Sequence, residues 1–158
     1  ALVGFDETEQ AAQLLQSELR KIGVTLKIQK AVWANAVQQS QNAETSPDIW
    51  SHWGSTYYID PDNWIGQFYK KSALGTQRGS SWYRDDETER LQQAALASLD
   101  RAERQKLYEQ ISLRLIDQAV DVWIYNSKGF RVVRERVKGF VPGAVGDGVD
   151  LRTMWIET

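Results

Sequence analysis

The 158-residue chain has no cysteine, one histidine, one methionine and three prolines. Without cysteine there is no disulfide framework, no thiolate metal site and no cysteine nucleophile. A single histidine, His52, cannot build a multi-histidine metal centre, and no Gly-x-Ser-x-Gly element supplies a serine nucleophile. No apolar run approaches the ~18 residues that a membrane-spanning helix needs. Nor do the first residues show a basic-then-apolar targeting segment, so the sequence reads as cytosolic or as a mature piece whose targeting signal lies elsewhere. Charge of one sign is also scarce: 19 basic and 21 acidic residues leave a net charge of −2. No basic stripe of the kind that grips nucleic acid is present, and "RVVRERVK" alternates as a strand with one solvated face. "GTQRG" follows no strand and opens no helix, which excludes a phosphate loop. No cofactor is expected, and these absences argue against an enzyme. A hydrolase would have to use Asp60, Asp62 or His52, brought together in a cleft.

What the chain does have is seven Trp and six Tyr. They concentrate in "SHWGSTYYIDPDNWIGQFY", residues 51–69, among Gly, Ser, Thr and Asp. Large rings beside short polar groups give rigid contact area with local hydrogen bonding. Composition alone leaves two readings open, a core filler between helices and sheet or the wall of a binding site. The surrounding pattern is that of one α/β or α+β domain. "DETEQAAQLLQSELRKIG" predicts a helix with Asp6 as cap, Glu9 as the reciprocal half of a capping box and an apolar stripe of Ala11, Leu14, Leu15, Leu19 and Ile22. Gly23 suits its left-handed end. "VTLKIQ" and "DIWSHWGS" predict strands, with a helix over 33–43 between them. Asp60 suits the cap of a short helix with Pro61 at its first position. Residues 71–81 read as a flexible Gly/Ser loop. Helices are expected over 87–98 and 101–118, opening on Asp86 with Glu89 and on Asp100 with Glu103; Leu107, Ile111 and Leu115 line the second. "VDVWIYN", "FRVVRERV" and "DLRTMWIE" predict strands, the last two separated by "PGAVGDG".

The order of these elements resembles the C-terminal portion of the family 5 extracellular solute-binding proteins, the dipeptide- and oligopeptide-binding receptors of ABC importers. "SELRKIGVTLKI" is similar to that family's helix-to-strand junction, and Trp33 to the Trp that opens its next helix. "HWGSTYYIDPDNW" matches a strand ending in Gly-Trp followed by Asp-Pro-Asp-Asn-Phe. "YRDDETERLQQA", "DRAERQKLYEQI", "DVWIYN" and the "VKGF" of Val137–Phe140 follow in the family's order. The resemblance implies a non-enzymatic lobe of a two-lobe, type II periplasmic-binding-protein-like fold: a mixed sheet flanked by helices, closing on a peptide-like or other small organic solute. Residues 1–126 would form the second lobe, and 127–158 would complete the first. The implied ligand wall is Trp33, Trp53, Thr56, Tyr57 and Tyr58, with Tyr125 near the hinge. Thr56 falls where peptide receptors of the family carry the Asp that holds a free amino group, which directs the aromatics toward a sugar, a modified peptide or another neutral solute. The implied partners are the solute and the permease subunits of the importer, with no nucleic acid, in the periplasm or at the outer cell surface. Membrane contact would run only through the permease or a lipid anchor. The intact receptor is expected to be a monomer; in the shorter chain the tail is expected to pack on this lobe, swap with another copy to give a dimer, or be poorly ordered. A stand-alone carbohydrate- or peptide-binding module is the rival reading.

Overall fold

The computed structural model describes residues 3–51, 54–125, 128, 130–143, 145 and 148–157. The first helix, α1, spans Asp6–Lys21. Phe5 rather than Asp6 takes the capping position, and no side chain caps the helix. Instead the Thr8 hydroxyl donates back to the Phe5 carbonyl at 2.9 Å. Asp6, Glu7 and Glu9 lie in the first turn and Arg20 and Lys21 in the last, the arrangement that the helix dipole favours. Gly23 ends it at φ +81, as its position in the sequence predicts. The apolar stripe is only partly covered: Ala11, Leu15 and Leu19 are half-buried, while Leu14 and Ile22 are exposed. Residues 24–29 follow without regular secondary structure, tied to α1 where Gln16 donates to the Leu26 carbonyl at 2.7 Å. Helix α2 is Trp33–Ser40, shorter than predicted because residues 41–46 wind into turns.

The expected mixed sheet reduces to one antiparallel pair among the described residues. β1 (Val137–Lys138) faces β2 (Trp155–Ile156), with Val137 opposite Ile156 and Lys138 opposite Trp155. An antiparallel bridge between Pro142 and Val149 continues the hairpin. Residues 24–29, 48–51 and 120–125, each predicted as a strand, form no ladder among the described residues. A strand is completed by a neighbour that takes up its backbone groups, and sequence alternation shows the faces of a strand without supplying that neighbour.

The centre of the molecule is a helical hairpin of α4 (Asp86–Ala97) and α5 (Arg101–Asp117), which make the most extensive contact of any two elements. Asp85, one residue before the predicted cap, accepts from the Thr88 backbone N–H at 2.7 Å. Asp100 caps α5 as expected, accepting from the backbone of Ala102 and Glu103 at 2.7 and 3.0 Å. The Glu103 carboxylate turns to the Ser98 hydroxyl, 2.5 Å away. Leu91, Ala95, Tyr108, Ile111 and Leu115 form the core with Tyr69, which arrives from the end of α3 (Ile65–Phe68). Tyr69 meets Tyr83 edge-on, with centroids 6.2 Å apart, and its hydroxyl donates to Asp121. That bond fastens the segment after α5 to the residues after α3. Burial, with the Asp121 charge adding to it, pushes the Tyr69 hydroxyl well above its ordinary value.

Burial, reinforced by the charges of Asp62 and Asp60, also pushes the Tyr108 hydroxyl up to about 12. A folded-state value raised above the unfolded one gives stability that is complete below about pH 10 and is lost as pH climbs toward the folded value. Tyr108→Phe should therefore flatten part of the fall in stability between about pH 10 and 12. Urea unfolding at several pH values reads this directly, with the two proteins within about 1 kcal/mol of each other at neutral pH.

Candidate functional site

The aromatic stretch is held by a short 3-10 turn, Pro61–Asn63, preceded by Asp60. Asp60 accepts from the Asp62 backbone N–H at 2.9 Å, with Pro61 at the first position, as the sequence predicts. Its other oxygen accepts from Arg104 of α5 at 2.6 Å, which fixes the turn to the helical hairpin. Asn63 is fully buried. Its amide accepts from the Tyr57 backbone N–H at 2.9 Å and donates to the Ser55 carbonyl at 3.3 Å. This two-point brace sets residues 55–57 and hence the direction of the Tyr57 ring. Gly54 lies against Trp64 and Phe68, and a Cβ there would come within 2.5 Å of the Trp64 ring. Trp64 and Phe68 themselves stack at 6.2 Å.

These constraints produce a small depression, about 70 Å³ in volume, lined by Trp33, Gly54, Ser55, Tyr57, Phe68, Gln77 and Arg78. Two predicted wall residues, Trp33 and Tyr57, meet there from distant parts of the chain. Trp53, together with His52, lies outside the described residues. Thr56 is half-buried between Ser55 and Tyr57 but is not among the lining side chains. Tyr58 turns its hydroxyl onto the turn, donating to Asp62 at 2.8 Å and accepting from Gln67 at 3.3 Å. Burial, followed by the Asp62 hydrogen bond, raises its pKa. Tyr125 is 60% exposed and stands outside the lining.

Five lining residues are not among the predicted wall residues: Gly54, Ser55, Phe68, Gln77 and Arg78. The last two belong to residues 71–81, read from composition as a flexible loop. In the structure Lys71–Ala73 is a 3-10 turn. The Thr76 hydroxyl donates to the Ala73 carbonyl at 2.6 Å and accepts from the backbone N–H groups of Arg78 and Gly79, both at 3.3 Å. Gly79 approaches so closely that a Cβ would lie 2.2 Å from the Ala73 carbonyl oxygen. Thr-x-x-Gly after a short polar turn is the available signal, since a threonine capping its own loop converts apparent flexibility into a defined bend.

The acidic pair needed by the hydrolase reading is engaged elsewhere. Asp60 holds Arg104, and Asp62 accepts from Tyr58 and, at 3.0 Å, from Gln92. Among the described residues no cluster of three or more His, Cys, Asp or Glu side chains is placed to hold a metal.

The rings of Trp33, Tyr57 and Phe68 thus meet beside a loop braced by the Thr76 hydroxyl. Residues 3–76 match the model of the bacterial extracellular solute-binding proteins, family 5, middle part. The chain is 29% identical to the probable D,D-dipeptide-binding periplasmic protein of Escherichia coli, over 84% of this chain and 25% of that protein. It is 31% identical to di/tripeptide-binding protein 4 of Pseudomonas aeruginosa, over 83% of this chain and 24% of that protein. The fold is similar to that of the ABC transporter-associated periplasmic binding protein of Helicobacter pylori solved with the peptide STSA. The TM-score is 0.63 at 22% identity, covering 94% of this chain and 29% of that one. Just under half of the chain is thus similar to the family 5 extracellular solute-binding proteins, and the chain spans about a quarter of the length of the curated relatives it matches.

Proposed function

We propose that the chain supplies one lobe of the solute-binding component of an ABC import system, which takes a peptide-like or other small organic solute between two lobes. On this reading residues 1–126 form the second lobe, and 127–158 cross to complete the first. The work is binding and delivery to permease subunits at the outer side of the cell membrane, without catalysis. The observation that carries it is the meeting of Trp33, Tyr57 and Phe68 at one braced depression in a chain similar to a solute-binding family. Trp53, Thr56 and Tyr58 extend that wall on this reading, and Tyr125 stands near the hinge. The dipeptide and tripeptide ligands in the relatives' names favour the peptide class.

A thermal-shift panel on the full-length receptor tests the proposal, with this chain run beside it. Dipeptides, oligopeptides, mono- and oligosaccharides and polyamines make up the panel. A true solute at a hundred times its dissociation constant should stabilise the receptor by about 2.7 kcal/mol. It should leave this chain alone nearly unmoved, because half a clamp lacks the opposing contacts. An equal shift in the short chain would make it a complete binding module and overturn the two-lobe reading.

A further inference from the structure

Arg78 is built into the depression in an unusual way. Its guanidinium lies 4.5 Å from the centroid of the Tyr57 ring and 5.5 Å from that of Phe68, inside the range where a cation is held by aromatic faces. The loop beneath it is fixed by the Thr76 hydroxyl, which accepts from the Arg78 backbone itself. Four other arginines are held by carboxylates: Arg90 by Glu87, Arg104 by Asp60, Arg114 by Asp85 and Arg152 by Asp150. Arg78 has no carboxylate within ion-pair distance and no hydrogen bond from its guanidinium among the described residues. It is half-buried and is the one charged side chain among those lining the depression. Asp60 and Asp62, the nearest acidic residues in sequence to the wall, are already engaged.

We infer that Arg78 is a specificity-determining residue that receives a carboxylate of the solute, so that the cargo is an organic acid rather than a neutral molecule. The inference rests on the solute-binding reading and narrows it. Stacking on two rings holds the planar fork in place before the ligand arrives, so little side-chain freedom is lost on forming paired N–H···O bonds. Ser55 and Gln77 on the same rim supply polar groups beside it. The aromatic faces of Trp33 and Tyr57 would take the apolar or ring portion of the same molecule. The expectation of a neutral solute, drawn from Thr56, changes accordingly: Thr56 removes a carboxylate for an amino group, whereas Arg78 adds a cation for an acid.

The test uses the full-length receptor in three forms, unmodified, Arg78→Gln and Arg78→Lys. Probes come in matched pairs: di- to tetrapeptides as free acids and as C-terminal amides, and hexuronates against the corresponding hexoses. The unmodified receptor should prefer the acid of one pair by on the order of 10- to 100-fold. Arg78→Gln should abolish that preference by weakening the acid alone, and Arg78→Lys should keep part of it, while ligand-free melting stays the same in all three. The peptide and sugar arms identify which source carries the acid. Probes that bind without distinguishing acid from neutral form, or equally to Arg78→Gln, would overturn the inference and leave the solute-binding reading standing. If no probe in either arm bound the unmodified receptor, both would fall.

Discussion

Replacing Ile111 by alanine should destabilise the chain by about 2–5 kcal/mol, the range observed when a fully buried aliphatic side chain is cut back and its site cannot collapse. Ile111 has no exposed surface and sits among Leu91, Ala95, Tyr108 and Leu115. All of these are held by the two helices of one hairpin, which limits how far the walls can move inward. Domains of this size have about 5–15 kcal/mol to lose, so the substitution removes a large share of the total. Urea denaturation of the two proteins gives the difference as a shift in midpoint with little change in slope. Leu113, two residues along the same helix but 59% exposed, is the control. Its alanine variant should fall within about 0.5 kcal/mol of the parent. Equal losses at both positions would mean that α5 is not anchored by the face described.

Asp85 should produce the second large effect. One carboxylate accepts from the Thr88 backbone N–H and the Thr88 hydroxyl, each at 2.7 Å, and from Arg114 at 2.8 Å through each oxygen. It thus caps α4 and clamps it to α5. Alanine here removes the cap and leaves Arg114 without its partner, a loss of about 2–3 kcal/mol on the usual scale for capping and charge-assisted bonds. Burial would raise the Asp85 carboxyl, but the bonds from Thr88 and Arg114 outweigh it and hold the group below the ordinary carboxylate value. A depressed folded-state value contributes stability that is present above about pH 4 and is lost as pH falls through the folded value. Asp85→Asn should therefore cost stability at pH 7 and lose less than the parent on acidification. Parallel acid limbs for the two proteins would remove Asp85 from this role.

The helical body was legible because helices carry their own instructions. The 3.6-residue spacing of Leu107, Ile111 and Leu115, and Asp100 just ahead of Arg101, mark α5 without reference to anything distant. Asp60 with Pro61 marks the turn for the same reason. The neighbouring acids in "RDDETE" hid which of them caps α4, since Asp85 and Asp86 are equally suited in isolation and only the clamp to Arg114 separates them. Strands were less legible. Alternation in "VTLKIQ" and "DVWIYN" marks faces, whereas pairing depends on a second segment elsewhere. In the candidate site, Trp33 and Tyr57 entered the expected wall through the family resemblance, and Tyr57 also as a large ring among polar residues. Arg78 did not, because its role comes from stacking on Tyr57 and Phe68, which are 21 and 10 positions away in the chain, and composition marks its loop only as flexible.

The irregular stretch after α5 has a practical consequence. Val122, Trp123, Ile124 and Tyr125 are 83, 56, 64 and 60% exposed, and none of them forms a backbone hydrogen bond among the described residues. A β-prone, uncharged run with free backbone edges is a template on which like segments add and grow. The colloidal behaviour of this chain, when it is handled alone and concentrated, will be governed by those few residues rather than by the well-packed hairpin that gives it its melting temperature.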